Sequence, residues 1–117
     1  MIKSFKDLEI YRRSKELVKE TYRITDKYPE REKYNVVSQL RRSMLSIPLN
    51  IAEGYGRQSK DDFKRFLKIS LGSSNETEAL LEISKELNYI SEEEYKILSK
   101  ENEEIGKMIY SMIQKWK

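Results

Sequence analysis

The chain has 117 residues, no cysteine, no histidine, 38% hydrophobic and 37% charged side chains, and a formal net charge of +3. A chain of this length forms one domain and buries a core without cross-links or a structural metal. The two missing residue types exclude thiolate and imidazole chemistry, disulfides, zinc sites of the Cys and His type, and the inward Glu-x-x-His ligands of a di-iron bundle.

No charged start followed by an apolar run and a small-residue cleavage site is visible, and no apolar run has membrane-spanning length, so a cytoplasmic protein without membrane contact is expected. Apolar periodicity runs through almost every segment, which argues against disorder. Four helices are expected, with no strand pattern. The first spans about 6–26, with Leu8, Tyr11, Val18 and Tyr22 inward and Ile10, Leu17 and Ile24 on a flank, and it stops before Pro29.

After a loop over 27–33, the second helix spans about 34–53 and ends at Gly54 as a C-terminal cap. Val37, Leu40, Met44, Ile47, Ile51 and Tyr55 recur at three and four residues and mark its core face. Gln39, Arg42, Ser46, Asn50, Glu53 and Arg57 fall on one narrow polar seam. Leu45, Leu49 and Ala52 form a second apolar strip, so this helix is expected to be covered on more than one side, which favours an oligomer. Pro48 removes one backbone hydrogen bond and should kink the helix near 44–48, but the apolar period continues past it.

The third helix spans about 60–88, opened by Ser59 as N-cap with Asp62 in the capping-box position. Its small residues Ser70, Gly72, Ser73 and Ser74 read as places of close helix approach. Ser91 with Glu94 repeats the capping signature and opens a fourth helix over about 92–116. There Tyr95, Leu98, Asn102, Ile105, Ile109, Met112 and Trp116 form an unbroken seam, with Asn102 as a polar group that fixes register.

Charge is unevenly placed. Residues 31–68 carry 9 basic and 4 acidic groups, whereas residues 73–104 carry 3 basic and 10 acidic ones. The asymmetry suits either an anionic partner at one end or neighbouring copies meeting basic face to acidic face.

Against this background the stretch Gln39-Leu40-Arg41-Arg42, Ser46-Ile47-Pro48, Asn50-Ile51-Ala52-Glu53-Gly54, then Arg57, Ser59, Phe63 to Phe66, and Gly72-Ser73 through Glu76 and Glu78, resembles a family of small bacterial four-helix-bundle proteins. The opening Phe5-Lys6-Asp7-Leu8, with Leu17-Val18 and Tyr22, is similar to that family's first helix, so the likeness covers nearly the whole chain. Its members include proteins encoded in intervening sequences of large-subunit ribosomal RNA genes, and the family is similar to the accessory variability determinant of diversity-generating retroelements. The resemblance implies an up-down bundle, assembly into a homopentameric barrel with a basic surface, nucleic-acid binding without enzymatic activity, and in the retroelement branch association with a reverse transcriptase.

The residues themselves leave two roles open for most sites. Gly54 to Lys60 reads as a plain inter-helix turn or as an anion cradle, and it lacks the Walker spacing and the preceding strand of a P-loop. Arg41 and Arg42 project to different faces and suit either acidic partners within the assembly or nucleic-acid phosphate. Glu53, Glu76 and Glu78 lack the convergence that acid-base work or a metal ion needs, and Arg42, Asn50 and Glu53 are expected to satisfy one another. The expectation is therefore a single all-α, up-down four-helix bundle over residues 1–117, without cofactor or metal. It assembles with itself and binds nucleic acid through Arg41, Arg42, Arg57, Lys60, Lys64, Arg65 and Lys68, while Gln39, Ser46, Asn50 and Glu53 form a structural polar seam. The alternative is a protein-binding scaffold or accessory subunit that presents its second apolar strip or the acidic hairpin of its last two helices.

Overall fold

The computed structural model describes residues 1–115. Four antiparallel helices, α1 (Glu9–Thr25), α2 (Val36–Gly56), α3 (Lys60–Glu86) and α4 (Glu92–Lys115), pack in a ring of neighbours around one core, within an envelope of 42 × 22 × 22 Å. Among the described residues there is no strand, and no helix is long and apolar enough to cross a membrane. Ile10, Leu17, Leu40, Met44, Ile47, Ile51, Leu67, Leu81, Ile105 and Ile109 are the largest fully buried apolar side chains among the described residues.

The first helix starts later than its pattern suggests. Phe5–Asp7 form a separate 3-10 turn closed by a reciprocal cap between Ser4 and Asp7. Leu8 then adopts an extended backbone before α1 begins at Glu9. The inward face is also rotated from the expected one. Ile10, Ser14, Leu17, Thr21 and Ile24 are buried, while Tyr11, Val18 and Tyr22 are only half-buried. Two small polar residues sit on this face: Ser14 donates to the Tyr11 carbonyl, so its hydroxyl is satisfied inside the core, while the buried Thr21 hydroxyl has no partner among the described residues. An apolar pattern reads such positions as outward.

The second helix runs from Val36 to Gly56 without interruption at Pro48, three residues beyond the expected end. Gly54 is not its cap. It lies inside the helix, buried against α3, where an added Cβ would stand 2.7 Å from the Cβ of Phe66. The left-handed residue of the turn is Gln58, at φ 60°. Val37, Leu40, Met44, Ile47 and Ile51 are buried as expected, and Tyr55 is half-buried with its ring edge-on to Phe63.

Small polar groups stitch α2, α3 and α4 together. The hydroxyls of Ser43 and Thr77 pair at 2.9 Å, Ser70 donates to the Ile47 carbonyl, and Ser74 and buried Asn102 exchange hydrogen bonds between α3 and α4. Gly72 is the exception: it is exposed and a Cβ there would meet nothing within 4 Å, so it marks no close approach. Gly106, facing Ser74, serves instead. Ser91 and Glu94 cap α4 reciprocally. Ser59 accepts from the Asp62 amide at the start of α3, while the Asp62 carboxylate turns to Arg65. In the fourth-helix seam Leu98, Asn102, Ile105 and Ile109 are buried, Tyr95 and Met112 half-buried, and Trp116 lies outside the described residues.

Candidate nucleic-acid interface

The antiparallel fold gathers the end of α2 and the first turns of α3 at one pole of the bundle, beside the amino-terminal residues that precede α1. Arg57 closes α2 and is half-exposed, its Nε donating to Glu53 at 3.0 Å. Eight residues further, Arg65 donates to Asp62 at 3.2 Å. Both guanidiniums sit over the Phe66 ring, at 5.2 Å and 4.5 Å from its centre. These are surface ion pairs one turn apart on a helix, worth little, so neither cation is committed to its carboxylate. Lys60 and Lys68 are exposed and make no hydrogen bond or ion pair with the described residues. Lys64 is half-buried on the same turns.

Next to them a cleft of about 390 Å³ opens between Lys3, Tyr55, Gly56, Ser59 and Lys60. Chemically the pole is a set of cations flanking a flat aromatic ring, suited to phosphate oxygens and a stacked base or sugar edge. Sequence reasoning placed Phe66 only in a motif and missed Lys3. Their proximity depends on how the chain returns at the turn, which no helical periodicity encodes.

Arg41 and Arg42 do not join this cluster. They lie about four turns back along α2, roughly 22 Å from Arg57. Arg41 is engaged inside its own chain: it donates to Thr25 Oγ1 at 2.9 Å, to Asp26 at 2.9 Å and to the Tyr22 carbonyl, and it stacks on the Tyr22 ring at 4.4 Å. It thereby caps the C-terminal end of α1, where a cation and a donor are both favourable. Arg42 is exposed and has no hydrogen bond or ion pair among the described residues.

The expected mutual satisfaction of Arg42, Asn50 and Glu53 is absent. Asn50 donates to the carbonyl and hydroxyl of Ser46, Ser46 in turn accepts from Ser73, and Glu53 holds Arg57. A side chain with a reach of one turn prefers its i+4 neighbour, and Arg42 stands two and three turns away from the other two. Gln39 is exposed at the far end of this seam. Glu76 is exposed while Glu78 accepts from Tyr95 and Ser99 in a separate groove between α3 and α4, so the carboxylates do not converge.

Compared with known families, residues 6–111 match the model of the 23S rRNA-intervening sequence protein. The chain belongs to this family. It is also similar to a crystal structure described as a protein with unknown function from the S23 ribosomal protein family of Bacteroides thetaiotaomicron. That similarity has 31% sequence identity and a TM-score of 0.83, and it covers 90% of this chain and 95% of the other. No curated protein matches the chain. The four-helix arrangement and the resemblance read from Gln39 to Glu78 are thus both met in this family member.

Proposed function

We propose that this protein is a non-enzymatic, self-assembling nucleic-acid-binding protein of the cytoplasm that grips structured RNA or DNA through phosphate contacts at the α2–α3 pole. The observation that carries the reading is the grouping of Arg57, Lys60, Arg65 and Lys68 on one end of the bundle, with two guanidiniums shared over Phe66. Lys64 belongs to the same turns. Membership in a family named for an intervening sequence of ribosomal RNA supports RNA as the first ligand to try. Phosphate contacts supply affinity with little sequence information, because they recognise charge spacing and leave base edges unread.

Self-assembly, as a homopentameric ring in the reading drawn from the resemblance, is supported by the α2 strip, where Leu49 is 62% exposed. A large apolar side chain in a strip beside a polar seam is a surface that association would cover.

Fluorescence anisotropy titration of RNA and DNA at several salt concentrations tests the binding. The wild type is expected to bind with a steep salt dependence. Joint replacement of Arg57, Lys60, Arg65 and Lys68 by glutamine should weaken binding evenly across sequences and flatten the logarithmic slope by about 0.7–0.9 for each phosphate that is no longer neutralised. Arg41→Gln should leave that slope in place and lower thermal stability instead. A slope unchanged in the quadruple variant would overturn the phosphate reading. Tight association with a single polypeptide, together with weak nonspecific RNA binding, would favour the scaffold alternative.

A further inference from the structure

The α3–α4 groove contains a carboxylate that no cation among the described residues pairs with. Glu78 is half-buried, and its oxygens accept from the Tyr95 hydroxyl at 2.6 Å and the Ser99 hydroxyl at 2.8 Å. Both donors are neutral. Two lysines at this groove pair with other carboxylates: Lys85 lies over the Tyr95 ring and pairs with Glu92, and Lys107, which lines the groove, pairs with Glu103 beside it. Glu78 therefore forms no ion pair among the described residues. Leu71 and half-exposed Tyr110 supply apolar surface in the same groove, whose volume is about 790 Å³.

The opposite flank of the bundle holds the complement. α1 and α2 meet on one side, α3 and α4 on the other, because each helix packs on its two sequence neighbours and α1 on α4. On the outward face of α2, in a shallow hollow that α1 reaches only through Tyr22, stands Arg42, an exposed cation without a partner among the described residues, followed by Leu45 and Leu49. Among the described residues, one flank thus offers an unpaired cation beside the Leu45 and Leu49 strip, and the other an unpaired anion beside Leu71 and the Tyr110 ring.

The two sets also match in height and direction. The hydrogen bonds Ser43–Thr77 and Ser46–Ser73 fix the antiparallel register of α2 against α3. One residue back on α2 and one forward on α3 from the first pair brings Arg42 level with Glu78. Three residues forward on α2 and three back on α3 from the second brings Leu49 level with Leu71 to within one residue, or about 1.5 Å of rise. Arg42 to Leu49 and Glu78 to Leu71 each span seven residues toward the same pole. A neighbouring copy in the same orientation, rotated about an axis parallel to the bundle and not shifted along it, would meet both elements at once.

We propose that Arg42 and Leu49 of one copy dock on Glu78 and Leu71 in the α3–α4 groove of the next, a head-to-tail interface whose matched heights close the assembly into a ring. This rests on the self-assembly put forward above and names the surface that makes it. A heterologous interface closes when the operation is a pure rotation and winds into a filament when it carries a rise, and level patches supply no rise. Pairing a half-buried carboxylate with a guanidinium also fixes orientation, since copies running in opposite directions would separate the charges from each other and the leucines from Leu71.

Sedimentation velocity on the full chain tests the interface. Arg42→Glu places like charges together and should weaken association at least about tenfold. Leu49→Asp should do the same by burying an unpaired charge. Neither side chain has a hydrogen bond or ion pair to lose among the described residues, so both variants should keep the wild-type helical signal and thermal midpoint. The double variant Arg42→Glu with Glu78→Arg reverses the pair and should recover assembly, provided its circular dichroism confirms the bundle. A wild type that sediments as a single copy would remove the self-assembly on which the proposal rests. A wild-type oligomer untouched by Arg42→Glu and Leu49→Asp would overturn this interface alone, leaving self-assembly in place through another surface.

Discussion

At Gly54 a missing side chain sets how near α2 and α3 come. A methyl group there would lie 2.7 Å from the Phe66 Cβ and 3.1 Å from a ring carbon of Phe63. The first of these atoms is attached directly to the α3 backbone and cannot swing away. Gly54→Ala should therefore force the two helices apart and destabilise the fold by about 1–3 kcal/mol, despite the better helix propensity of alanine. Urea unfolding would measure it, and an alanine variant as stable as the wild type would show that the helices separate without cost. Because Phe66 carries both Arg57 and Arg65, the same displacement reaches the candidate interface. The adjacent arginines on α2 make the complementary point. Arg41 spends its donors on the end of α1, whereas Arg42, one residue on and about 100° around the helix, has none of them engaged. Their sequence environment is nearly identical, and only the position of α1 separates their roles.

Among the elements, α1 and α4 are the pair held most by charge. Arg13 donates to Glu101 at 2.8 Å and to Glu104 at 2.7 Å, with its Nη1 near the Met108 sulfur. The hydrogen bond from Arg13 holds the Glu104 carboxyl below its ordinary range, and the same bonds raise the Arg13 guanidinium. A carboxylate with a depressed value in the fold contributes stability above its unfolded value and loses that contribution as pH falls through the folded one. Arg13→Gln should thus lower the thermal midpoint at about pH 7 and have a smaller effect at an acid pH below the folded value of Glu104, where its protonated carboxyl no longer distinguishes the two chains. Equal losses at both pH values would show that the contact is steric and not ionic. The starts of α3 and α4 were the most legible boundaries, since Ser59 and Ser91 carry their caps locally. The buried face of α1 was less so. Ser14 and Thr21 look like surface residues until the neighbouring helices α2 and α4 cover α1.

For the whole molecule, the proposed ring and the proposed nucleic-acid pole are coupled by symmetry. Copies that share one orientation and one height would present Arg57, Lys60, Arg65 and Lys68 on the same face of the assembly, so a long RNA could engage several poles together. Effective concentration then raises affinity without any new contact. Arg42→Glu, remote from the pole, is expected to weaken binding of a long RNA markedly while leaving a short oligonucleotide, which reaches one copy, nearly unaffected. Anisotropy with both lengths would check this, and equal losses for the two would place Arg42 in direct contact with nucleic acid.

By itself the sequence determined the class of the molecule. Apolar recurrence at three and four residues, serine caps at Ser59 and Ser91, and the absence of cysteine and histidine require a helical bundle without thiol or imidazole chemistry, because these properties are local or compositional. The run of cations after Arg57 was equally plain. Tertiary structure alone decided which of those cations lie together, that Gly54 is a point of close approach and not a cap, and that Glu78 stands level with Arg42. Each of these depends on the register of one helix against another. That register is set by the hydroxyl pairs Ser43–Thr77 and Ser46–Ser73 and by side-chain volumes at the core, long-range quantities that no periodicity within a single helix contains.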